Sequence, residues 1–419
     1  MSVITDLTRM WLTRSFKPFT FKNEYDKVLP FEDCDKLGLY IHIPFCKSIC
    51  SFCPYCKVVY NEDLCNRYID ALIEEINLVG QSYKGEGKKT VTSLYFGGGT
   101  PALAKDRIKE IIDEVEKYFV ITEGIGLELH PDNVIPETLK VLKDAGVTKL
   151  SIGIQSFSEK FRNILGRSTV DIKSMTWALK EVPFETVSMD LIFALPTQTY
   201  EDLKSDIDTA ISTGANHVAI YPFIDFTFTS SKVPVMNKKE KRKLLDAITK
   251  YCDSKGYERN SIWTFASERD AQYSSMTREN FLGFGCSATT LLRDQFKINT
   301  FAPEEYIKRI KERTLPTSLT IRFTKRQRMV YWLFWTAYST SVDERDFETF
   351  FGEKLSKMYG MELKIGRLLK FVTYKDGVYK MTLKGAFYYH YYENFYTLSY
   401  IDKMWGIMRK EAFPEEIKL

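Results

Sequence analysis

Short apolar segments alternate with longer amphipathic ones over the first half of the chain. The apolar segments have the length of buried β-strands, and each is followed by roughly 10 to 20 residues with helical spacing. They cover residues 37–43, 92–98, 124–131, 149–157, 186–196 and 217–223. Because parallel strands need crossover helices, six strand–helix units in series predict an α/β fold with a parallel sheet.

The pattern changes at both ends of this series. Residues 1–36 have no clear period and are assigned to an N-terminal extension. From about residue 317 the sequence predicts aromatic-rich helices separated by a hairpin that turns at Asp376–Gly377. We therefore expect an α/β core over 37–300 and a smaller, mostly helical domain over 301–419. The aromatic side chains of that domain suit either a helical core, the simpler interpretation, or a lid over a flat substrate.

Composition and charge exclude several classes of protein. The 419 residues carry a net charge of only +4 and no block of Lys or Arg, so nucleic-acid binding is not expected. No apolar stretch reaches the length of a membrane span. The N-terminus lacks the apolar core of a secretory signal, and four of the eight cysteines are crowded together, which indicates metal binding rather than disulfides. We expect a cytoplasmic protein.

The crowded cysteines are Cys46, Cys50, Cys53 and Cys56, in the loop after the first strand. A structural zinc site would need a second cysteine pair or spaced histidines, which do not follow. A redox dithiol would leave two of the four thiols unexplained. An iron–sulfur cluster fits best, because a compact loop can present several thiolates to one cube.

Four motifs in order along the chain resemble one family. They are YIHIPFCKSICSFC (40–53), YFGGGTP (95–101), GIQSF with LGR (153–157 and 165–167) and DLIFALPTQT (190–199). Together they are similar to radical S-adenosylmethionine (radical SAM) enzymes, in the branch of the oxygen-independent coproporphyrinogen III oxidases. That branch includes haem chaperones and methyltransferases that use two SAM molecules. The resemblance covers about residues 37–300, and more loosely the C-terminal domain, which in this branch covers the substrate.

The resemblance implies a partial, open (β/α)6 barrel of the TIM type and a [4Fe–4S] cluster. Cys46, Cys50 and Cys53 would hold three irons, leaving the fourth open to the amino and carboxylate groups of SAM. The reduced cluster would then cleave SAM to methionine and a 5′-deoxyadenosyl radical. The barrel would supply positioning and exclude water.

The same resemblance implies a set of residues that contact SAM. They are Tyr40, Gly98, Gly99, Thr100, Glu128, Gln155, Arg167, Asp190 and Phe223. Tyr40 would lie near the sulfonium, and Tyr40 and Arg167 are also the catalytic candidates. As structural alternatives, Asp190 could cap the next element, Glu128 could form an ion pair, and Gln155 could bond to the backbone. Phe223 would pack on the adenine, although a core aromatic explains it nearly as well.

The chain departs from the family pattern at two places. The oxidases have a fourth cysteine two residues after the third, where this chain has Tyr55, and Cys56 follows one residue later. A ligand role for Cys56 is therefore doubtful, and a bystander thiol is the alternative. The chaperones carry a histidine where the segment RNSIWTF (259–265) has Arg259.

These departures favour C-methylation or a related alkyl transfer, with one or two SAM molecules, on a small conjugated or hydrophobic substrate. One alternative is oxidative decarboxylation or ring modification of a tetrapyrrole. A second is a non-catalytic haem chaperone on the same scaffold. The expected partners are the small-molecule substrate and a flavodoxin- or ferredoxin-type electron donor.

Overall fold

All six apolar segments form parallel strands. The structure, a computed structural model, describes residues 3–231, 233–234, 236–267 and 279–419. Within these residues the strands are β1 (Thr20–Lys22), β2 (Leu37–Ile43), β3 (Phe45–Cys46), β4 (Val58–Val59), β5 (Lys89–Val91), β6 (Leu94–Gly98), β7 (Phe119–Ile121), β8 (Ile125–Leu129), β9 (Lys149–Gln155), β10 (Thr186–Phe193), β11 (His217–Pro222), β12 (Glu258–Arg259), β13 (Thr264–Ala266), β14 (Asn280–Phe284), β15 (Thr289–Leu291), β16 (Gln295–Asn299), β17 (Thr317–Arg322), β18 (Ser341–Asp343), β19 (Val372–Lys375), β20 (Val378–Met381) and β21 (Glu416–Lys418).

The helices follow the strands as the amphipathic segments predict. They are α1 (Val3–Thr13), α2 (Glu62–Gln81), α3 (Lys105–Tyr118), α4 (Pro136–Asp144), α5 (Glu159–Ile164), α6 (Ile172–Glu181), α7 (Tyr200–Thr213), α8 (Lys238–Ser254), α9 (Pro303–Lys311), α10 (Lys325–Tyr338), α11 (Glu344–Phe351), α12 (Leu355–Leu368), α13 (Leu383–Tyr396) and α14 (Asp402–Met408). Local chemistry fixes their starts; Asn61, for example, accepts a hydrogen bond from the Leu64 N–H at the first turn of α2. No helix in the described part of the chain is long and apolar enough to cross a membrane.

The parallel strands lie side by side in the order β11-β10-β9-β8-β6-β2-β14. Their buried side chains form a continuous apolar core with the covering helices. The predicted α/β fold, an open (β/α)6 barrel with a mostly helical C-terminal part, is confirmed. Because the strands are parallel and in register, their carboxyl ends meet at one edge, which is where such folds keep their sites.

The main sheet extends beyond the parallel strands. Antiparallel strands β15, β16 and β17 continue it from β14, and β1 and β21 complete that edge. The sequence pattern did not predict β1 or β21, because three residues are too few for a period to show and their partners are distant in the chain. The division at residues 36 and 300 stays a prediction.

The predicted hairpin at Asp376–Gly377 is confirmed. Strands β19 and β20 pair in the C-terminal part, and the two turn residues have φ values of 51° and 86°. A two-residue turn with both φ angles positive matches the twist of the flanking strands, and Asp-Gly tolerates it well.

Candidate active site

A cavity of about 1380 Å³ opens at the carboxyl ends of the parallel strands. Every site residue named from the sequence lines it. These residues are Tyr40, Cys46, Cys50, Cys53, Gly98, Gly99, Thr100, Glu128, Gln155, Arg167, Asp190 and Phe223. The fold thus brings together residues from six strands and their ends, the cysteine loop and the loop after α5, while the role of each residue stays a prediction.

The cysteine loop is held closed at its base. The Val58 N–H donates to the Pro44 carbonyl at 2.8 Å, and the Tyr60 N–H donates to the Cys46 carbonyl at 2.9 Å. Between these points Cys46, Cys50 and Cys53 are half-buried free thiols that face the cavity. Burial, followed by the nearby Cys53 sulfur, raises the pKa of the Cys46 thiol to about 11. Three thiols from one short loop at a shared cavity are compatible with a single cluster.

Gly98, the last residue of β6, and Gly99 pack closely against the main chain at the start of the cysteine loop. Gly98 has φ of +119°, and a Cβ there would lie 2.8 Å from the His42 ring and 2.9 Å from the Ile43 carbonyl oxygen. At Gly99 a Cβ would lie 2.6 Å from the Phe45 carbonyl oxygen. Only glycine allows this conformation and this close approach of two main chains. Gly98, Gly99 and Thr100 thus line the cavity beside the thiols.

Two carboxyl groups face the same cavity. The Tyr95 hydroxyl and the Gly98 N–H donate to the two oxygens of Glu128 at 3.2 and 3.0 Å. The Ser151 hydroxyl donates to Asp190 at 2.9 Å. Burial, with the Asp190 charge as the second cause, raises the pKa of Glu128 to about 7, and burial raises that of Asp190 to about 6. A cationic ligand would be bound favourably in this pocket, because its charge stabilises the ionised carboxylates of Glu128 and Asp190.

This pair predicts a pH dependence of stability for the cofactor-free protein. Because the Glu128 pKa is higher in the folded state than its ordinary value of 4.5, its contribution is full below pH 4.5 and is lost as pH rises to about 7. Relative to wild type, Glu128→Gln should therefore gain melting temperature as the pH rises from 4.5 to about 7. Thermal melts of both proteins at a series of pH values measure the difference.

The matched control for this pH experiment is Glu304→Gln. Glu304 is exposed and its pKa is lowered by Arg67, so its titration lies below the window. The control should keep the wild-type slope between pH 4.5 and 7. Parallel melting curves for Glu128→Gln and wild type would contradict the raised pKa.

Arg167 carries an unused donor. Its Nη1 donates to the Gly153 carbonyl at 2.7 Å, and its guanidinium lies 5.7 Å from the centre of the Phe52 ring. Its Nε is buried and has no hydrogen-bond partner among the described residues. A buried donor without a partner is costly, so this nitrogen is suited to an acceptor on a bound ligand. Nearby Gln155 ends β9 with φ of 72°, an unusual value for a residue with a side chain.

Phe223 serves as a core residue and as part of the cavity wall. It is 2% exposed and packs with Phe161, Leu165, Ile192 and Leu195. It also borders the cavity. Both interpretations of this aromatic therefore fit its position.

Cys56 also borders the cavity, but it is more deeply buried than the other three cysteines of the loop. Its thiol is buried, 3.8 Å from the Cys286 sulfur, and it donates to the Phe301 carbonyl at 3.2 Å. A hydrogen bond from the Cys286 thiol lowers the pKa of Cys56 well below its usual value, and burial raises that of Cys286. Cys286 lies just after β14, and no local sequence pattern links two residues 230 positions apart.

The C-terminal helices close the far side of the cavity. Many of the lining side chains there are aromatic, among them Tyr331, Phe334, Trp335, Tyr338, Tyr388, Tyr389, Tyr392, Tyr396 and Trp405. A separate cluster around Trp332, Phe347 and Tyr359 forms an apolar core for the same helices. Both sequence interpretations, an aromatic core and a cover, thus correspond to different parts of this region.

Arg259 is held away from the cavity. Its guanidinium donates to the Ile262 carbonyl at 2.6 Å, and burial lowers its pKa to about 10. Among the residues of the segment 259–265, Asn260, Ser261, Trp263 and Thr264 line the cavity and Arg259 does not. A guanidinium also has no lone pair to offer a metal, so this position supplies no axial ligand.

Comparisons with known proteins agree with this geometry. The model of the Radical SAM superfamily matches residues 40–210. Heme chaperone HemW of Bacillus subtilis (strain 168) is 27% identical over 343 residues, which is 78% of this chain and 89% of that protein. An oxygen-independent coproporphyrinogen III oxidase of Cereibacter sphaeroides is 27% identical over 308 residues, with 67% and 68% covered.

A solved structure supports the fold. Coproporphyrinogen III oxidase (HemN) from Escherichia coli aligns with a TM-score of 0.75 at 20% identity, covering 91% of this chain and 96% of that one. Proteins of the superfamily bind a [4Fe–4S] cluster and SAM, the cofactors predicted from the sequence. Residues 40–210 therefore match the Radical SAM superfamily, and the chain is similar to the branch of that superfamily that includes oxygen-independent coproporphyrinogen III oxidases and haem chaperones.

Proposed function

We propose that this protein is a radical SAM enzyme that oxidatively decarboxylates or otherwise modifies a tetrapyrrole. The observation that carries the proposal is one continuous cavity that the cysteine loop, the glycine and carboxylate pocket and the aromatic C-terminal helices all line. Its volume of about 1380 Å³ is large enough for a cofactor and a flat substrate together. Both relatives described above have names that refer to tetrapyrroles.

The residues present fit the implied cofactors. Cys46, Cys50 and Cys53 would hold the cluster, since they are thiols of one loop that share a cavity. The unpartnered Nε of Arg167 and the cavity-lining segment at Gly98 and Gly99 are features that a bound SAM would use. A cluster held by these three thiols would supply the one-electron reduction on which SAM cleavage depends.

The side chains of the chain position and shield the reactants. Glu128 and Asp190 would carry negative charge opposite the cationic cofactor, whose binding would favour their ionised forms. Arg167 would donate Nε to an acceptor such as a carboxylate. Burial and the neighbouring Glu128 raise the pKa of Tyr40, so its hydroxyl stays neutral and able to donate. The aromatic helices would exclude water from the substrate end of the cavity.

Methyl transfer is no longer the preferred reaction. The sequence favoured it because of the altered fourth cysteine and the missing histidine. Neither the cavity nor the comparisons add support for a methylated product or for a second SAM molecule. A flavodoxin- or ferredoxin-type electron donor and a cytoplasmic location remain proposals.

A haem chaperone is the second candidate. It is favoured by the relative named as a heme chaperone, 89% of which aligns with this chain. It is disfavoured by Arg259, which bonds to the Ile262 carbonyl where a histidine ligand was sought. Trp263 and the aromatic C-terminal residues would still offer a flat apolar wall to a macrocycle.

One anaerobic experiment separates the two candidates. The reconstituted protein is incubated with dithionite and SAM, with and without coproporphyrinogen III or haem as probes. The enzyme proposal predicts 5′-deoxyadenosine whose yield rises with one probe, together with a mass change in that probe. Tight stoichiometric haem binding, with slow cofactor cleavage and no modified product, would favour the chaperone and overturn the proposal.

A further inference from the structure

Three metal-binding side chains meet under the cysteine loop. They are His42, Cys56 and Cys286, and their ligand atoms all lie within 4.8 Å of one another. All three side chains are buried, and they come from β2, the cysteine loop and the turn after β14. None of them belongs to the set expected to hold the cluster or SAM. The group therefore needs an explanation of its own.

The main chain around these ligands is held firmly. The Tyr68 hydroxyl donates to the His42 carbonyl at 2.8 Å and accepts from the Cys286 N–H at 2.8 Å. The Gly285 N–H donates to the buried Glu75 carboxylate at 2.7 Å, and the Tyr306 hydroxyl donates to the same oxygen. Residues far apart in sequence are thus fixed at one point, as a preorganised metal site requires.

We propose that His42, Cys56 and Cys286 form a second metal site that takes Zn²⁺ or a similar borderline-soft divalent ion. Two thiolates and an imidazole are a known zinc donor set when a fourth position stays open. Two Zn–S bonds of about 2.3 Å at a tetrahedral angle separate the sulfurs by about 3.8 Å. The two sulfur atoms here are 3.8 Å apart.

The residues around this site orient the ligands and leave the fourth coordination position of the metal ion open. His42 Nδ1 lies 3.1 Å from the Tyr40 hydroxyl, the kind of outer partner that orients a ligating histidine. On binding, Nε2 gives up its 2.9 Å contact with the Cys56 carbonyl and offers its lone pair, while Nδ1 keeps the ring proton. Both thiols release their protons to solvent. Because His42 and Cys56 border the main cavity, the fourth position faces it.

This inference is independent of the proposed function, because the three ligands differ from the cluster ligands. The test uses the full chain with its cluster reconstituted, dialysed against Zn²⁺ and analysed for zinc, iron and protein. We expect about one zinc per chain in wild type, and its loss in Cys286→Ser and Cys56→Ser with iron unchanged. Cys252→Ser, a buried cysteine on α8, is the matched control and should keep its zinc. Equal zinc in wild type and Cys286→Ser overturns the site.

A second measurement on wild type does not depend on the variants folding. Cobalt(II) is added in place of zinc, and the expected spectrum has thiolate-to-cobalt charge transfer and the d–d bands of a tetrahedral ion. Cys50→Ser, which removes a cluster ligand, should keep this spectrum. An octahedral cobalt spectrum overturns the proposal. So does a Cys56–Cys286 disulfide in wild type, identified by peptide mass mapping under non-reducing conditions.

Discussion

Cys50→Ala is expected to abolish 5′-deoxyadenosine formation and to lower the iron content below about four per chain. The reason is that three thiolates of one loop would hold three irons, and a cube that loses one of them is exposed to solvent and oxidant. Cys50 is the middle thiol of that loop, half-buried and facing the cavity. The measurements are iron and sulfide analysis, the anaerobic assay with dithionite and SAM, and the low-temperature EPR spectrum of the reduced protein.

The matched control for Cys50→Ala is Cys65→Ala. Cys65 is a buried free thiol on α2 that does not border the cavity, so its loss should cost some stability and leave cleavage intact. If Cys50→Ala kept an intact cluster and full cleavage, the assignment of Cys46, Cys50 and Cys53 as ligands would be wrong. Loss of cleavage in both variants would point to a general folding defect.

Gly98→Ala is the second substitution with a large expected effect. The new Cβ would lie 2.8 Å from the His42 ring and 2.9 Å from the Ile43 carbonyl oxygen, in a residue with φ of +119°. We expect a loss of about 1–3 kcal/mol in the free energy of unfolding from the backbone strain. The Gly98 N–H that bonds to Glu128 would also shift, and SAM binding should weaken by about 100-fold.

Equilibrium dialysis with labelled SAM and denaturant unfolding measure the two effects of Gly98→Ala. Gly360→Ala is the control, because a Cβ at that position on α12 meets no atom within 4 Å. It should leave SAM binding unchanged and stability equal or slightly higher, since alanine favours a helix over glycine. Unchanged SAM affinity in Gly98→Ala would contradict a role of this segment in cofactor binding.

Local sequence signals predicted much of the protein. The six parallel strands follow from continuous apolar runs that are separated by amphipathic helices, and the β19–β20 turn follows from Asp-Gly. The cysteine spacing and the glycine segment predicted the cofactors through their resemblance to radical SAM enzymes. These features depend on residues close together in the chain, where spacing and side-chain chemistry translate directly into conformation.

The contacts that refine the site depend on residues far apart. The pairing of Cys56 with Cys286 spans 230 residues, and β1 finds its partners β17 and β21 only in the folded sheet. The missing partner of the Arg167 Nε likewise depends on which groups pack around it. The spacing of residues along the sequence does not predict such long-range contacts.

The sequence by itself determined the fold class, the cofactors and the residues that gather at the strand ends. The carboxyl ends of parallel strands in register lie together independently of loop conformation. Motifs at those ends must therefore share one edge of the sheet. Only the tertiary structure decided that Cys56 turns toward Cys286 and His42, and that aromatic helices close the cavity. The physical reason is that side-chain direction and long-range packing are set by the core as a whole, not by neighbours in the chain.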